Sequence, residues 1–145
     1  MRILVGYDAS DGSRRALDRA ITEAREHHAH LTVLSVENMP LDPSAPRNFG
    51  TLGDISASEG EAFAAPPEIV EQLQDANRRV GEAGLSADLT WAAGEPGAEI
   101  VEAAKRTRAT VIILGEHHHG FLSGLFGGNV DEEVKRAAGC DVILA

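Results

Sequence analysis

Short apolar segments alternate with amphipathic segments along the whole chain, and this alternation limits the possible folds more than any other feature of the sequence. Five of the apolar segments have the length of strands, and residues 3–5 and 111–114 are apolar at every position. Unbroken apolar runs are typical of parallel strands that helices cover on both faces. Four segments with helical periodicity lie between the predicted strands. The pattern therefore predicts an α/β fold, a doubly wound parallel sheet of five strands with helices on both faces.

Length and charge restrict the organisation and the partners of the chain. The 145 residues suit one domain with its own core, so residues 1–145 are predicted to form a single domain. The formal net charge is -10, whereas surfaces that bind nucleic acid or anionic lipid need clustered Lys and Arg. We therefore expect neither nucleic acid nor a membrane as a partner.

The cysteine content and the first residues indicate the compartment. Cys140 is the only cysteine, so an intrachain disulfide is excluded. The first apolar segment is interrupted by Asp8 and is too short for a signal peptide or a membrane span. We therefore expect a cytoplasmic protein, in which Cys140 packs as a small apolar residue because the sequence offers it no evident catalytic partner.

The segment after residues 111–114 is the most informative one for function. There the chain passes through Gly115 into the glycine-rich stretch EHHHGFLSGLFGG and then into the acidic helical stretch NVDEEVKRA. Glycines let backbone amides approach an anion closely, and the N-terminus of a following helix adds N–H groups and a positive dipole end. This strand, loop and helix predict a nucleotide site, in which Gly127 and Gly128 offer an unobstructed pair of amides.

Further candidate residues lie where the predicted strands end. In open α/β sheets, ligands bind at the carboxyl ends of the strands, where the direction of winding reverses. Asp8, Val36 and Gly115 lie at or near three such ends. A structural role is the alternative for two of them, because Asp8 also suits the start of a helix and Gly115 the end of a strand. Ser10 is expected to cap that helix.

Residues 38–67 interrupt the alternation of strands and helices. They contain five of the six prolines and show no sustained periodicity. Loops longer than about 12 to 15 residues are commonly lids, binding loops or disordered segments. A long Pro- and Gly-rich loop is therefore predicted here, either as a surface excursion or as a lid over the nucleotide site.

Three adjacent histidines at positions 117–119 are candidate metal ligands. Zinc ligands are usually separated by a fixed spacing, and no Cys or acidic residue completes such a pattern around these histidines. No metal site is predicted. The imidazoles are expected beside the phosphates, where protonation offsets negative charge.

Nearly the whole chain resembles the universal stress protein family. The resemblance is carried by ILVGYDASDGSRRALDRAI, by LTVLSVE, by the turn of Gly94, Glu95 and Pro96, and above all by VIILGEHHHGFLSGLFGGNVDEEVKRAAGCDVILA. It implies a Rossmann-like, adenine nucleotide alpha hydrolase-like fold. It also implies a stress-response regulator or sensor that binds an adenine nucleotide, ATP with or without Mg²⁺, and a homodimer that pairs through the C-terminal strand.

The nucleotide-binding branch of that family has a motif of glycine, two residues, glycine, nine residues, then glycine and Ser or Thr. The corresponding residues are Gly115, His118, Gly128 and Asn129, so two positions match and two depart. The Cβ of a histidine obstructs close approach of backbone to phosphate, whereas an asparagine amide can still donate a hydrogen bond and cap a helix. By resemblance, Asp8 meets the adenine or ribose and Val36 contacts the base through its backbone. The candidate binding residues are Asp8, Val36, Gly115, His118, Gly127, Gly128, Asn129 and Val130.

Two other functions remain open from the sequence. One is a dimeric interaction module of the same family that has lost nucleotide binding, and the departures at His118 and Asn129 favour it. The other is a slow ATPase. The sequence presents no catalytic constellation, so no catalytic residue is proposed and enzymatic activity is not predicted.

Overall fold

The computed structural model describes residues 1–39, 48–51, 65–116 and 130–145. In these segments no helix has the length and hydrophobicity needed to cross a membrane. The helices and strands are, in chain order, β1 (Arg2–Gly6), α1 (Asp11–His27), β2 (His30–Asn38), β3 (Asn48–Thr51), α2 (Pro67–Glu82), β4 (Asp88–Gly94), α3 (Pro96–Thr107), β5 (Val111–Leu114), α4 (Val130–Ala138) and β6 (Asp141–Leu144).

The strands form one sheet in the order β3-β4-β2-β1-β5-β6. Strands β1, β2, β4, β5 and β6 are parallel, which confirms the predicted α/β class and the five predicted strands. The chain adds β2 and β4 on one side of β1 and then returns through α3 to add β5 and β6 on the other side. The direction of winding therefore reverses between β1 and β5, where open sheets of this kind bind ligands.

Alternate residues of the strands face different helices. Ile3 and Val5 belong to the apolar cluster that includes α1 and α2, whereas Leu4 and Ile112 belong to the cluster that includes α3 and α4. Because side chains alternate across a strand, a strand that is covered on both faces must be apolar at every position. Double coverage thus explains the unbroken apolar runs in β1 and β5.

The predicted loop over residues 38–67 is wrong in part, and the predicted number of strands is one too low. Strand β3 lies inside this range and pairs antiparallel with β4, from Asn48 opposite Ala93 to Thr51 opposite Thr90. Residues 40–47 and 52–64 of this range lie outside the described residues.

Strand β3 gave no signal in the sequence because its four residues, NFGT, contain only one large apolar side chain, Phe49. The strand is instead stabilised by contacts with β4. Thr90 Oγ1 donates a hydrogen bond of 2.8 Å to the Gly50 carbonyl. A Cβ at Gly50 would lie 2.8 Å from Trp91 Nε1, so the indole packs against bare backbone. Trp91 is buried there, which fits a packing role in the core.

Candidate functional site

Three of the predicted site residues come together at one edge of the sheet, here called the carboxyl edge and defined by Asp8, Val36 and Gly115. Gly6 pairs with Leu34, so Asp8 and Val36 each lie two residues further along neighbouring strands. Val5 pairs with Ile113, and Gly115 again lies two residues further. Neighbouring strands are about 5 Å apart, so the three residues span a site of small-molecule size.

The other five predicted residues are in or next to the glycine-rich stretch. His118, Gly127, Gly128 and Asn129 lie outside the described residues. Val130 is the first residue of α4. Helix α4 therefore begins two residues after Gly128, the last residue of the glycine-rich stretch, and phosphate binding at its N-terminus stays a prediction.

The Asp8 carboxylate is held by the turn that leads into α1. Its Oδ1 accepts a hydrogen bond of 3.0 Å from the Ser10 N–H. Ser10 is the N-cap of α1, as predicted, and its Oγ accepts a hydrogen bond of 3.2 Å from the Ser13 N–H. Asp8 Oδ2 has no hydrogen-bond partner among the described residues, and the side chain is half-buried. The Ser10 N–H thus fixes the carboxylate through one oxygen and leaves the second unbonded within the described part of the chain.

Gly115 brings the end of β5 into direct contact with the first turn of α1. A Cβ at this position would lie 2.4 Å from the Gly12 carbonyl carbon and 2.9 Å from the Ser13 backbone nitrogen. Both are backbone atoms that cannot move aside without shifting the helix. The glycine therefore has a packing role that does not depend on any ligand, and it places the N-terminus of α1 at the carboxyl edge.

Val36 contributes to the same edge from β2. Its side chain is buried in the apolar cluster under α3, and it pairs in register with Ala92 of β4. A contact through its backbone, as the resemblance implies, leaves this packing intact and stays a prediction.

The entry to the glycine-rich stretch is anchored on two sides. Arg15 of α1 donates from Nη2 to the Glu116 carbonyl at 3.4 Å. The Glu116 N–H donates to the Ala145 carbonyl at 2.9 Å, which extends the pairing of β5 with β6. These two hydrogen bonds position Glu116 relative to α1 and to the end of β6.

A polar cluster connects the end of β1 to α2. The buried Tyr7 hydroxyl donates to Asp75, which also accepts from Arg78 Nη2 at 2.5 Å and from Arg79 Nε at 3.2 Å. The hydrogen bond from Tyr7, with further help from the two guanidinium groups, lowers the pKa of Asp75 to about 2. Burial, and then the contact with Asp75, raises the pKa of Tyr7. At neutral pH the cluster therefore consists of a neutral phenol and an ionised carboxylate.

Asp75→Asn is expected to destabilise the protein at pH 7 and to have a smaller effect in acid. Because the folded-state pKa lies below the ordinary value of 3.8, the ionised carboxylate stabilises the fold above about pH 4, and this contribution is lost as the pH falls through about 2. Because solvent screens part of the interaction, we expect Asp75→Asn to lower the free energy of unfolding by about 1–2 kcal/mol at pH 7. Urea unfolding at pH 7 and pH 2.5, followed by Trp91 fluorescence, measures it. The exposed Asp11→Asn is the control, and equal destabilisation by Asp75→Asn at both pH values would contradict this account.

Cys140 lies against the cluster under α4 and is half-buried. Burial, and to a smaller extent the neighbouring Asp141, raises the pKa of its thiol. A raised pKa disfavours the thiolate, which is the nucleophilic form. This environment agrees with the expected packing role.

Comparison with known proteins identifies the family. The model of the protein family "Universal stress protein family" matches residues 1–145 of this chain. Universal stress protein YxiE of Bacillus subtilis is 27% identical over 147 residues, which cover 99% of this chain and 97% of that protein. A universal stress protein of Mycobacterium tuberculosis is 29% identical over 143 residues, which cover 98% of this chain and 93% of that protein.

The fold comparison agrees with the sequence comparison. A solved structure of a universal stress protein in complex with cAMP is similar to this chain with a TM-score of 0.67 and 26% identity. The similarity covers 100% of this chain and 96% of that chain. The chain therefore belongs to the universal stress protein family.

Proposed function

We propose that this protein binds an adenine nucleotide at the carboxyl edge and acts as a sensor or regulator in a stress response. The observation that carries the proposal is the meeting of Asp8, Val36 and Gly115 beside the N-terminus of α1, where the winding of the sheet reverses. The similar universal stress protein that was solved with cAMP supports an adenine nucleotide as the ligand class.

Each part of the nucleotide has a candidate partner. The free Asp8 oxygen is suited to accept hydrogen bonds from ribose hydroxyls, since a carboxylate is an acceptor with two oxygens. The Val36 backbone contacts the base. The backbone amides of Gly127 and Gly128 and the side chain of Asn129 hold the phosphates, with His118 beside them. ATP, with or without Mg²⁺, is the specific ligand that the family motif favours.

The same proposal includes a cytoplasmic homodimer. Strand β6 is at one end of the sheet, where its outer backbone groups lack a neighbouring strand among the described residues. An edge strand of this kind is commonly protected by pairing, and a second copy would pair through a twofold axis. Light scattering at micromolar concentration distinguishes the dimer from a monomer, and a monomer would contradict this part.

Identification of a copurifying nucleotide tests the ligand class. Freshly purified protein is denatured, and the released small molecules are separated and identified by mass spectrometry. We expect an adenine nucleotide, and its number of phosphates then names the ligand. Release of a guanine or nicotinamide nucleotide instead would overturn the adenine assignment.

A further inference from the structure

Ser35 is a hydroxyl residue in the apolar interior of the sheet. It is 0% exposed and lies in β2 between Leu34 and Val36, which are both buried apolar residues. Its Oγ donates a hydrogen bond of 2.7 Å to the Tyr7 carbonyl. A buried hydroxyl is costly unless it is bonded, and an apolar residue would suit this position in a doubly covered strand. The bond to Tyr7 therefore needs an explanation beyond packing.

A second serine holds the other end of the same peptide group. The Asp8 N–H donates to Ser13 Oγ at 3.3 Å, and this hydroxyl in turn donates to the Ser10 carbonyl at 3.0 Å. Ser13 is 5% exposed. The peptide group between Tyr7 and Asp8 is thus held through its carbonyl by Ser35 of β2 and through its N–H by Ser13 of α1. We call these two residues the serine clamp.

The serine clamp begins where the regular pairing of β1 ends. The Tyr7 N–H still donates to the Leu34 carbonyl at 2.8 Å, in continuation of the ladder between β1 and β2. The next peptide group is held by the two hydroxyls. Because rotation of this group would turn the Asp8 Cα–Cβ bond, the clamp fixes the direction of the side chain, and the Ser10 N–H fixes Oδ1. The carboxylate is therefore oriented before any ligand arrives, which lowers the entropic cost of binding.

We propose that Ser35 is a positioning residue for ribose recognition: through the Tyr7 carbonyl it fixes Asp8 so that the second carboxylate oxygen meets the ribose hydroxyls. This inference rests on the proposed nucleotide function. Ser35 also precedes Val36 directly, so one short stretch of β2 positions both the ribose contact and the base contact.

Ser35→Ala tests the inference through the discrimination between ATP and 2′,3′-dideoxy-ATP, which lacks the ribose hydroxyls. We expect the affinity for ATP to fall about fivefold to tenfold, the scale of one weakened hydrogen bond to a charged group. The affinity for dideoxy-ATP is expected to stay unchanged. In an Asp8→Ala background, Ser35→Ala is expected to have no further effect on ATP affinity. Isothermal titration calorimetry measures the affinities of the wild type and Ser35→Ala for both nucleotides, and those of Asp8→Ala and the double variant for ATP.

Thr90→Val is the matched control, because it also removes a buried hydroxyl that donates to a backbone carbonyl of the sheet. Thr90 is 6% exposed, and its partner is Gly50 at 2.8 Å, away from the carboxyl edge. Both variants are expected to lower the midpoint of urea unfolding by a similar amount. Of the two, only Ser35→Ala is expected to change the ratio of the affinity for ATP to that for dideoxy-ATP. If Ser35→Ala does not fold, Ser13→Ala tests the serine clamp instead, because it removes the hydroxyl that α1 contributes. The same change in the ratio of the affinities for ATP and dideoxy-ATP is expected.

The outcomes separate this inference from the function on which it rests. Suppose that the wild-type protein binds ATP. If Ser35→Ala then loses affinity for both nucleotides equally, or keeps the wild-type ratio of the two affinities, the inference is overturned and the proposed function stands. Binding of neither nucleotide by the wild-type protein would overturn both.

Discussion

Gly115→Ala is expected to destabilise the protein by about 3 kcal/mol or more, the upper end of the cost of overpacking. The added Cβ would lie 2.4 Å from the Gly12 carbonyl carbon and 2.6 Å from its oxygen. Neither atom belongs to a flexible side chain, so β5 and α1 must move apart. Urea unfolding followed by the fluorescence of Trp91, the only tryptophan, measures the change in the free energy of unfolding.

Gly81→Ala is the matched control for this substitution. Gly81 lies near the end of α2, and a Cβ there would meet no atom within 4 Å. Because alanine favours helix more than glycine does, we expect a gain of up to about 1 kcal/mol. A Gly115→Ala protein as stable as the wild type would contradict the close contact between β5 and α1.

Asp8→Ala is expected to weaken ATP binding about 10- to 100-fold, which corresponds to the loss of a hydrogen bond to a charged acceptor. The Asp8 carboxylate is fixed by Ser10 through Oδ1, and its Oδ2 has no hydrogen-bond partner in the segments that the structure describes. The affinity for dideoxy-ATP is expected to change much less, because that nucleotide has no ribose hydroxyl to donate. Calorimetric titration with both nucleotides measures the effect.

Asp11→Ala controls for the removal of a carboxylate near the start of α1. The Asp11 side chain is 86% exposed and is 3.5 Å from Arg14. We expect unchanged affinity in this variant because the carboxylate points into solvent. Equal weakening of ATP binding by both substitutions would show that the loss of one negative charge near α1 causes the effect. Wild-type affinity in Asp8→Ala would show that Asp8 is not part of the site.

The sequence predicts the sheet well because the physical cause of the pattern is local. Residues 3–5 and 111–114 are apolar at every position, and the structure covers both faces of these strands with helices. Strand β3 was missed for the opposite reason. Its partner in β4 lies about 40 residues away, and the contact between Gly50 and Trp91 cannot be seen in the residues NFGT themselves.

The site was predictable to a different degree for each residue. The apolar pattern correctly predicted that Asp8, Val36 and Gly115 lie at or near the carboxyl ends of neighbouring strands, and ligand binding there stays a prediction. It could not predict that Gly115 lies against Gly12, because that contact joins segments about 100 residues apart. Ser35 was missed because a serine within an apolar strand has no local signal, and its partner Tyr7 belongs to another strand.

Binding of ATP to nucleotide-free wild-type protein is the decisive test of the proposed nucleotide site. The protein is unfolded to release any ligand and refolded, and it is then titrated with ATP and with GTP, each in the presence and absence of Mg²⁺. We expect saturable binding of ATP with one site per chain and weaker binding of GTP. Absence of ATP binding up to about 1 mM, the weak end of the range of specific affinities, would contradict it and favour a family member that works as an interaction module.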